Sequence, residues 1–245
     1  MNILLVGFQG TGKTLLSASA AAVQRVEGIL YIDVDKGVKT GLDAYIRKYP
    51  NKFHVVYVGD NLTASMIKFI RYLRIATNRE QAAATGIPYI NMVVIDSITA
   101  LADKLISRIA GSEVAIEAGN LPDGARIQDW GTQKTIIESW VNTIKDMPCH
   151  LIVTCLEHIV EDEKTHIKTP QLHLPAKLAT KLPSLFDQVL YLALDAKVAP
   201  SANGDYTRSL QCKADLKRMA RDRSRRLPAS MSNPTMSQLF DLFYA

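Results

Sequence analysis

Eight residues near the start of the chain restrict what it can fold into more than any other feature. Gly7-Phe8-Gln9-Gly10-Thr11-Gly12-Lys13-Thr14 matches the pattern G-x-x-x-x-G-K-[ST] at every fixed position. Glycines let the backbone curl so that its N–H groups converge on an anion. Lys13 brings a mobile point charge to the β- and γ-phosphates, and the Thr14 hydroxyl ligates Mg²⁺. The helix that follows aims its positive end at the same anion. Such a loop needs a strand before it and a helix after it. Residues 3–6 are an apolar run suited to the first, and residues 13–25 are Ala-rich, as the second requires. A chance match in an ordinary strand–turn–helix is the plain alternative, and this setting argues against it. The expectation is a site for ATP, or a close relative, with Mg²⁺, built on Gly7, Gly10, Thr11, Gly12, Lys13 and Thr14.

The rest of the chain repeats the alternation. Strand candidates lie at 3–6, 29–33, 53–58, 89–96, 150–154 and 188–194, and helix candidates at 13–25, 62–76, 98–109 and 127–145. Several strand candidates are continuously apolar, which suits parallel strands covered on both faces. Asn61 and Ser97 stand where helix N-caps belong. Together they predict an α/β fold with a mostly parallel sheet flanked by helices. At 245 residues, one large domain is expected. Residues 111–126 read as a long surface loop, and 158–174 as a late β-hairpin with a charged tip at Glu161-Asp162-Glu163-Lys164. Residues 228–245 read as a connector and a last helix. Its face of Met236, Leu239, Phe240 and Phe243 packs on its own core or docks on a neighbouring subunit.

Two carboxylate positions complete a reaction site on paper. Met92-Val93-Val94-Ile95-Asp96 is an apolar strand ending in an acid, which suits a Mg²⁺ contact beside Thr14; a simple helix cap is the alternative. Ser97 follows it, so a water-activating base must come from elsewhere. Asp33 and Asp35 lie two apart at the carboxyl end of a strand, the rim where α/β sheets bind ligands. Asp35 is the candidate base, against the alternative of a solvated turn before Lys36-Gly37; Glu157 stands next in line.

With these elements in place the chain resembles a RecA-type ATPase core over most of residues 1–227. The resemblance rests on the loop at Gly7, on Tyr31-Ile32-Asp33-Val34-Asp35, on Val94-Ile95-Asp96-Ser97-Ile98-Thr99-Ala100-Leu101 and on Leu151-Ile152-Val153-Thr154. More narrowly it looks like the short phage-encoded members, some of which anneal single strands. Asp187-Gln188-Val189 and Arg221-Asp222-Arg223 before Leu227-Pro228 carry that likeness. Asp35 stands where RecA proteins carry Glu, one methylene longer. The loop begins at Gly7, so the N-terminal arm that links RecA protomers is not expected. The resemblance implies hydrolysis of ATP with Mg²⁺, oligomerisation and action on single-stranded DNA. A nucleotide-switched adaptor and a small-molecule kinase are the rival readings.

The formal charge of +5 has one source. Residues 213–226 carry seven basic and two acidic residues, a net +5, and the remainder balances at 22 of each. The resemblance makes Lys217, Arg221 and Arg223 candidates for a basic finger that completes a neighbouring subunit's site, with Arg221 and Arg223 foremost. Binding of DNA phosphates and a merely solvated strand edge are the alternatives. Single-stranded DNA would meet the two loops, near Lys164, His166, Lys168, Lys177 and Lys181 on one side and Arg126, Trp130 and Lys134 on the other. Trp130 and Trp140 are expected in the core. No apolar run approaches the roughly 18–20 residues of a membrane helix, and no removable leader is expected. Cys149, Cys155 and Cys212 form no ligand pattern and are expected as free thiols in a reducing cytoplasm, the host's if phage-encoded.

Overall fold

Continuously apolar strands need cover on both faces, and the computed structural model provides it. Residues 1–36, 42–59, 61–110, 125–161, 166–195 and 206–245 are described. Among them, β1 (Asn2–Gly7) lies parallel between β5 (His150–Glu161) and β7 (Gln188–Leu194). β4 (Met92–Asp96), β2 (Ile29–Asp33) and β3 (Phe53–Tyr57) continue the parallel sheet beyond β5. On the opposite flank, β8 (Arg208–Gln211) runs antiparallel to β7, and β10 (Ser230–Ser232) antiparallel to β8. β9 (Arg221–Asp222) pairs with the start of β7. The far end of β5 leaves the main sheet and pairs with β6 (Lys168–Leu172), forming the late hairpin. Its tip, 162–165, lies outside the described residues, as does 111–124 of the expected long loop. A strand inserted between the phosphate-loop strand and the strand ending in Asp96 is the RecA-like order.

Helices cover both faces of the sheet. α1 (Lys13–Ala18), a 3-10 turn at Ser19–Ala22, α2 (Asp43–Lys48) and the C-terminal α8 (Met236–Tyr244) lie on one side, over Ile3, Leu5, Tyr31, Val94, Ile152 and Leu190. α3 (Leu62–Ala76), α5 (Ile98–Ile109) and α6 (Ile127–Lys145) cover the other, over Leu4, Val6, Ile32, Ile95 and Val153. The short α4 (Arg79–Thr85) follows α3, and α7 (Ala176–Lys181) follows β6. Each such strand residue is fully buried, worth about 1.5–3 kcal/mol apiece in transfer terms. Asn61 and Ser97 cap α3 and α5 by accepting from the backbone N–H groups of Ala64 and Ala100.

Several boundaries differ from the sequence reading, for identifiable reasons. The helix expected over 13–25 ends at Ala18 and tightens to 3-10. Lys52 Nζ takes the Ala21 and Val23 carbonyls, and Ser19 Oγ takes Leu16 O while accepting from Met236 N. Tertiary partners thus replace the next helical turn. The strand expected over 89–96 begins only at Met92, because the Asn91 side chain ties Glu27 N and Arg25 O together. In the 228–245 segment, β10 joins the sheet, and Met236, Leu239 and Phe240 of α8 are buried on the chain's own core. No helix among the described residues is long and apolar enough to cross a membrane.

Candidate active site

β1 delivers Gly7 to the carboxyl rim of the sheet, where a Cβ would stand 2.3 Å from the Leu192 carbonyl oxygen. Only glycine ends the strand without pushing β7 away. Gly10 (φ 77°) and Gly12 (φ 95°) take left-handed conformations that turn the loop back toward α1. Thr11 Oγ1 donates to Phe8 O at 2.9 Å, and Arg208 Nε on β8 donates to Thr11 O at 3.1 Å, bracing the loop from outside. Lys13 is 8% exposed and donates to the carbonyls of Gly7 and Phe8, both at 2.8 Å. Burial lowers its pKa, opposed by the charges of Asp96, Asp35 and Glu157, among others.

Register then assembles the second half of the site. Asp33 pairs with Asp96, Leu5 with Thr154 and Gly7 with Leu156, so all these strand ends share one rim. The Asp96 carboxylate accepts three hydroxyl hydrogen bonds, from Thr14 (2.7 Å), Tyr31 (2.6 Å) and Thr154 (2.5 Å). Tyr31 is buried, and burial followed by the Asp96 charge drives its phenol pKa well up, so it stays a donor. The peptide bond between Asp96 and Ser97 is cis. Mg²⁺ is bound through one or two carboxylates plus substrate phosphates, and keeps several waters. Thr14 and Asp96, already in contact, fit that demand. Among the described residues no group of three or more His, Cys, Asp or Glu side chains is placed to hold a metal alone. Phosphate oxygens and water must complete the shell.

Asp35 lies just past the strand. β2 ends at Asp33, so the two-residue alternation expected to align Asp33 with Asp35 stops short of it. Asp33 is 2% exposed, whereas Asp35 is exposed at the rim, its Oδ2 accepting from Ser97 Oγ at 3.0 Å. Its pKa is raised by desolvation of the carboxyl; the Ser97 hydrogen bond and Lys104 oppose this, and Asp96 and Asp33 add to it. The same Ser97 hydroxyl caps α5, so one side chain fixes both the helix start and the acid.

The basic stretch divides into two roles. Arg221 Nη2 donates to the carbonyls of Pro183 and Phe186, and Arg223 donates to Ser184 O and pairs with Asp187 at 3.5 Å. Both guanidiniums thus hold the turn before β7 in their own chain. Arg218, which no local pattern singled out, instead grips Glu157, whose side chain is fully buried, at 2.7 and 3.0 Å. Lys217 lies exposed between Leu216 and Met219, both strongly exposed.

Trp140 is 7% exposed in the core, as expected, but Trp130 is only half-buried. It lines an open groove of about 360 Å³ with Ile127, Pro175, Ala176, Lys177 and Leu178, between the first turn of α6 and α7. The core position expected for Trp130 is not what the structure has, because the first turn of α6 leaves it at the edge.

The sequence profile of a family described as an AAA domain matches residues 1–224. Among solved structures, the RadB recombinase crystal structure is similar over 89% of this chain and 83% of that one, at 16% identity and a TM-score of 0.48. An ATPase from the type III secretion system of pathogenic bacteria is similar over 81% of this chain and 52% of its own, at 15% identity and a TM-score of 0.45. The assembled ATPase EscN, in complex with its central stalk EscO from enteropathogenic E. coli, gives 80% and 42%, 14% identity and a TM-score of 0.45. The chain therefore spans about half or less of those two secretion ATPases. No curated protein matches it. The family match covers nearly the whole length, so the chain, whose strand order is RecA-like, belongs to this AAA-domain family.

Proposed function

We propose that this chain hydrolyses ATP with Mg²⁺ and acts on single-stranded DNA in recombination or strand annealing, as a cytoplasmic homo-oligomer of the phage-encoded type. The observation that carries the hydrolysis is the meeting of Thr14, Thr154 and Asp96 beside Lys13. The loop amides and Lys13 hold the β- and γ-phosphates, with Lys13 trading the Gly7 and Phe8 carbonyls for phosphate oxygens. Mg²⁺ on Thr14 and Asp96 would supply charge neutralisation at those phosphates. Asp35, held by Ser97, orients a water for in-line attack on the γ-phosphorus and accepts its proton. The bond from the γ-phosphorus to the bridging oxygen breaks, and ADP leaves with that oxygen, its charge met by Lys13.

The DNA reading is supported by the Trp130 groove, where an aromatic face and Lys177 stand together beside the hairpin. Single-strand binders combine such stacking faces with cations. Oligomerisation is supported by Leu216 and Met219, strongly exposed apolar side chains on either side of the exposed Lys217. The test is ATP turnover with and without single-stranded DNA, alongside mass by light scattering. Stimulation by DNA, with turnover rising more steeply than linearly with protein concentration, is expected. Unstimulated turnover without DNA binding would leave the adaptor reading, and phosphoryl transfer to a metabolite the kinase reading.

A further inference from the structure

Glu157 presents a problem that the hydrolysis site as described does not solve. Its side chain is fully buried, and a buried carboxylate costs several kcal/mol in lost hydration. A buried ion pair is weak support for stability, because apolar residues of the same volume do as well or better. This pair therefore calls for a second role. The partner, Arg218, is held rigidly. Asp215 Oδ1 accepts from the backbone N–H groups of Lys217 and Arg218, both at 2.7 Å, and Asp215 N donates to Arg218 O at 3.1 Å.

The pair stands at the phosphate loop. Leu156 is in register with Gly7, so Glu157 lies one residue beyond, level with the loop's first turn. Its charge reaches Lys13. The Arg218 guanidinium sits 5.7 Å from the ring centre of Tyr191, whose strand partner on β1 is Val6. Glu157 takes Nε and Nη2 along one edge of the guanidinium. Five N–H groups in a rigid fork leave the Nη1 edge over. Arg221 and Arg223, by contrast, stand at the amino end of β7, away from the phosphate loop, on the Pro183, Phe186 and Ser184 carbonyls and Asp187.

We propose that Arg218, supplied by the same chain, is a catalytic cation for the terminal phosphate of the bound nucleotide, and that Glu157 is the residue that positions it. The proposal rests on the ATPase reading above. Nη1 donates to a γ-phosphate oxygen as negative charge redistributes in the transition state, while Glu157 keeps the other edge and so is never left as a bare buried charge.

The test compares kcat and KM for ATP in Arg218→Lys and in Arg218→Ala/Glu157→Gln, a double variant that leaves no unpaired carboxylate. The double variant is expected to lose about 10²- to 10³-fold in kcat, the usual cost of one transition-state donor, with KM changed by about threefold or less. Arg218→Lys is expected to lose at least about tenfold, because a point charge on Glu157 has no second edge for phosphate. A merely structural pair would be satisfied by lysine, so near-wild-type turnover of Arg218→Lys overturns the proposal even if the double variant fails to fold. A folded double variant within about threefold of wild-type kcat also overturns it. Mixing the folded double variant with Lys13→Ala subunits is expected to restore nothing, and restored turnover would show that the arginine serves a neighbour instead. Should the wild type not hydrolyse ATP, or Lys13→Ala not matter, the ATPase reading itself fails, and that result is visible before any Arg218 variant is read.

Discussion

Asp35 and Asp96 lie close enough to share Ser97 as a neighbour, yet their surroundings set them apart. Asp96 is 8% exposed and accepts three hydroxyl hydrogen bonds, a fixed acceptor beside Thr14. Asp35 is exposed, with one hydrogen bond from Ser97 and a raised pKa, as suits a group that takes up a proton. Asp96→Asn is expected to impair Mg²⁺-dependent nucleotide binding, read by titration with and without the metal. Asp35→Asn is expected to leave binding nearly intact and slow single-turnover hydrolysis about 10²-fold. It should also stabilise the fold slightly at neutral pH. A carboxyl whose pKa is raised on folding favours the native state only while protonated, and that contribution is lost as pH rises through the folded pKa. Thermal melts of the two proteins should therefore converge at low pH and separate near pH 7. Lys13→Ala removes the loop's only cation, and both binding and turnover should disappear in a protein that still melts cooperatively.

At the scale of elements, strands with continuous apolar runs and the phosphate loop were legible in the sequence because one residue pattern determines each. Asn61 and Ser97 were readable as caps for the same local reason. What stayed hidden depends on distant partners. Lys52 and Met236 end the first helix, and neither is near it in sequence. Tyr31 donates to Asp96 across 65 positions, and Arg218 meets Glu157 across 61. The basic stretch offered candidate cations without distinguishing them, since seven basic residues look alike until β9 fixes Arg221 against the turn before β7. The Trp130 groove was illegible because a tryptophan in the first turn of an amphipathic helix reads as core until its neighbours are placed. Trp130→Ala is expected to weaken single-strand binding by about 1–3 kcal/mol, the worth of one stacked base, with basal ATP turnover unchanged. Fluorescence anisotropy with a labelled oligonucleotide, beside a turnover assay without DNA, would check both halves.

Across the whole molecule, the two ends of the chain meet at one histidine on the rim opposite the phosphate loop. His150, the first residue of β5, has its Nδ1 3.4 Å from the N-terminal ammonium. Its ring meets Phe240 of α8 edge-on at 5.1 Å and Tyr244 at 6.1 Å. Burial chiefly, with help from that ammonium, lowers its pKa from the ordinary 6.5 to about 4. The unfolded chain therefore binds a proton between these values that the native fold refuses, and stability must rise with pH across the window. The contribution is complete above about pH 6.5 and is lost as pH falls toward about 4. α8 is the element that depends on it, since Phe240 is 2% exposed and a charged imidazole would sit against its ring. Phe240→Ala is expected to cost about 3–5 kcal/mol, as for large-to-small changes in a core. In urea titrations at pH 7 and pH 5, the wild type should lose more stability on acidification than His150→Gln, whose amide keeps a polar group without a titrating one. Equal losses in the two proteins would place the acid sensitivity in the carboxylates instead, and would detach the fate of α8 from His150.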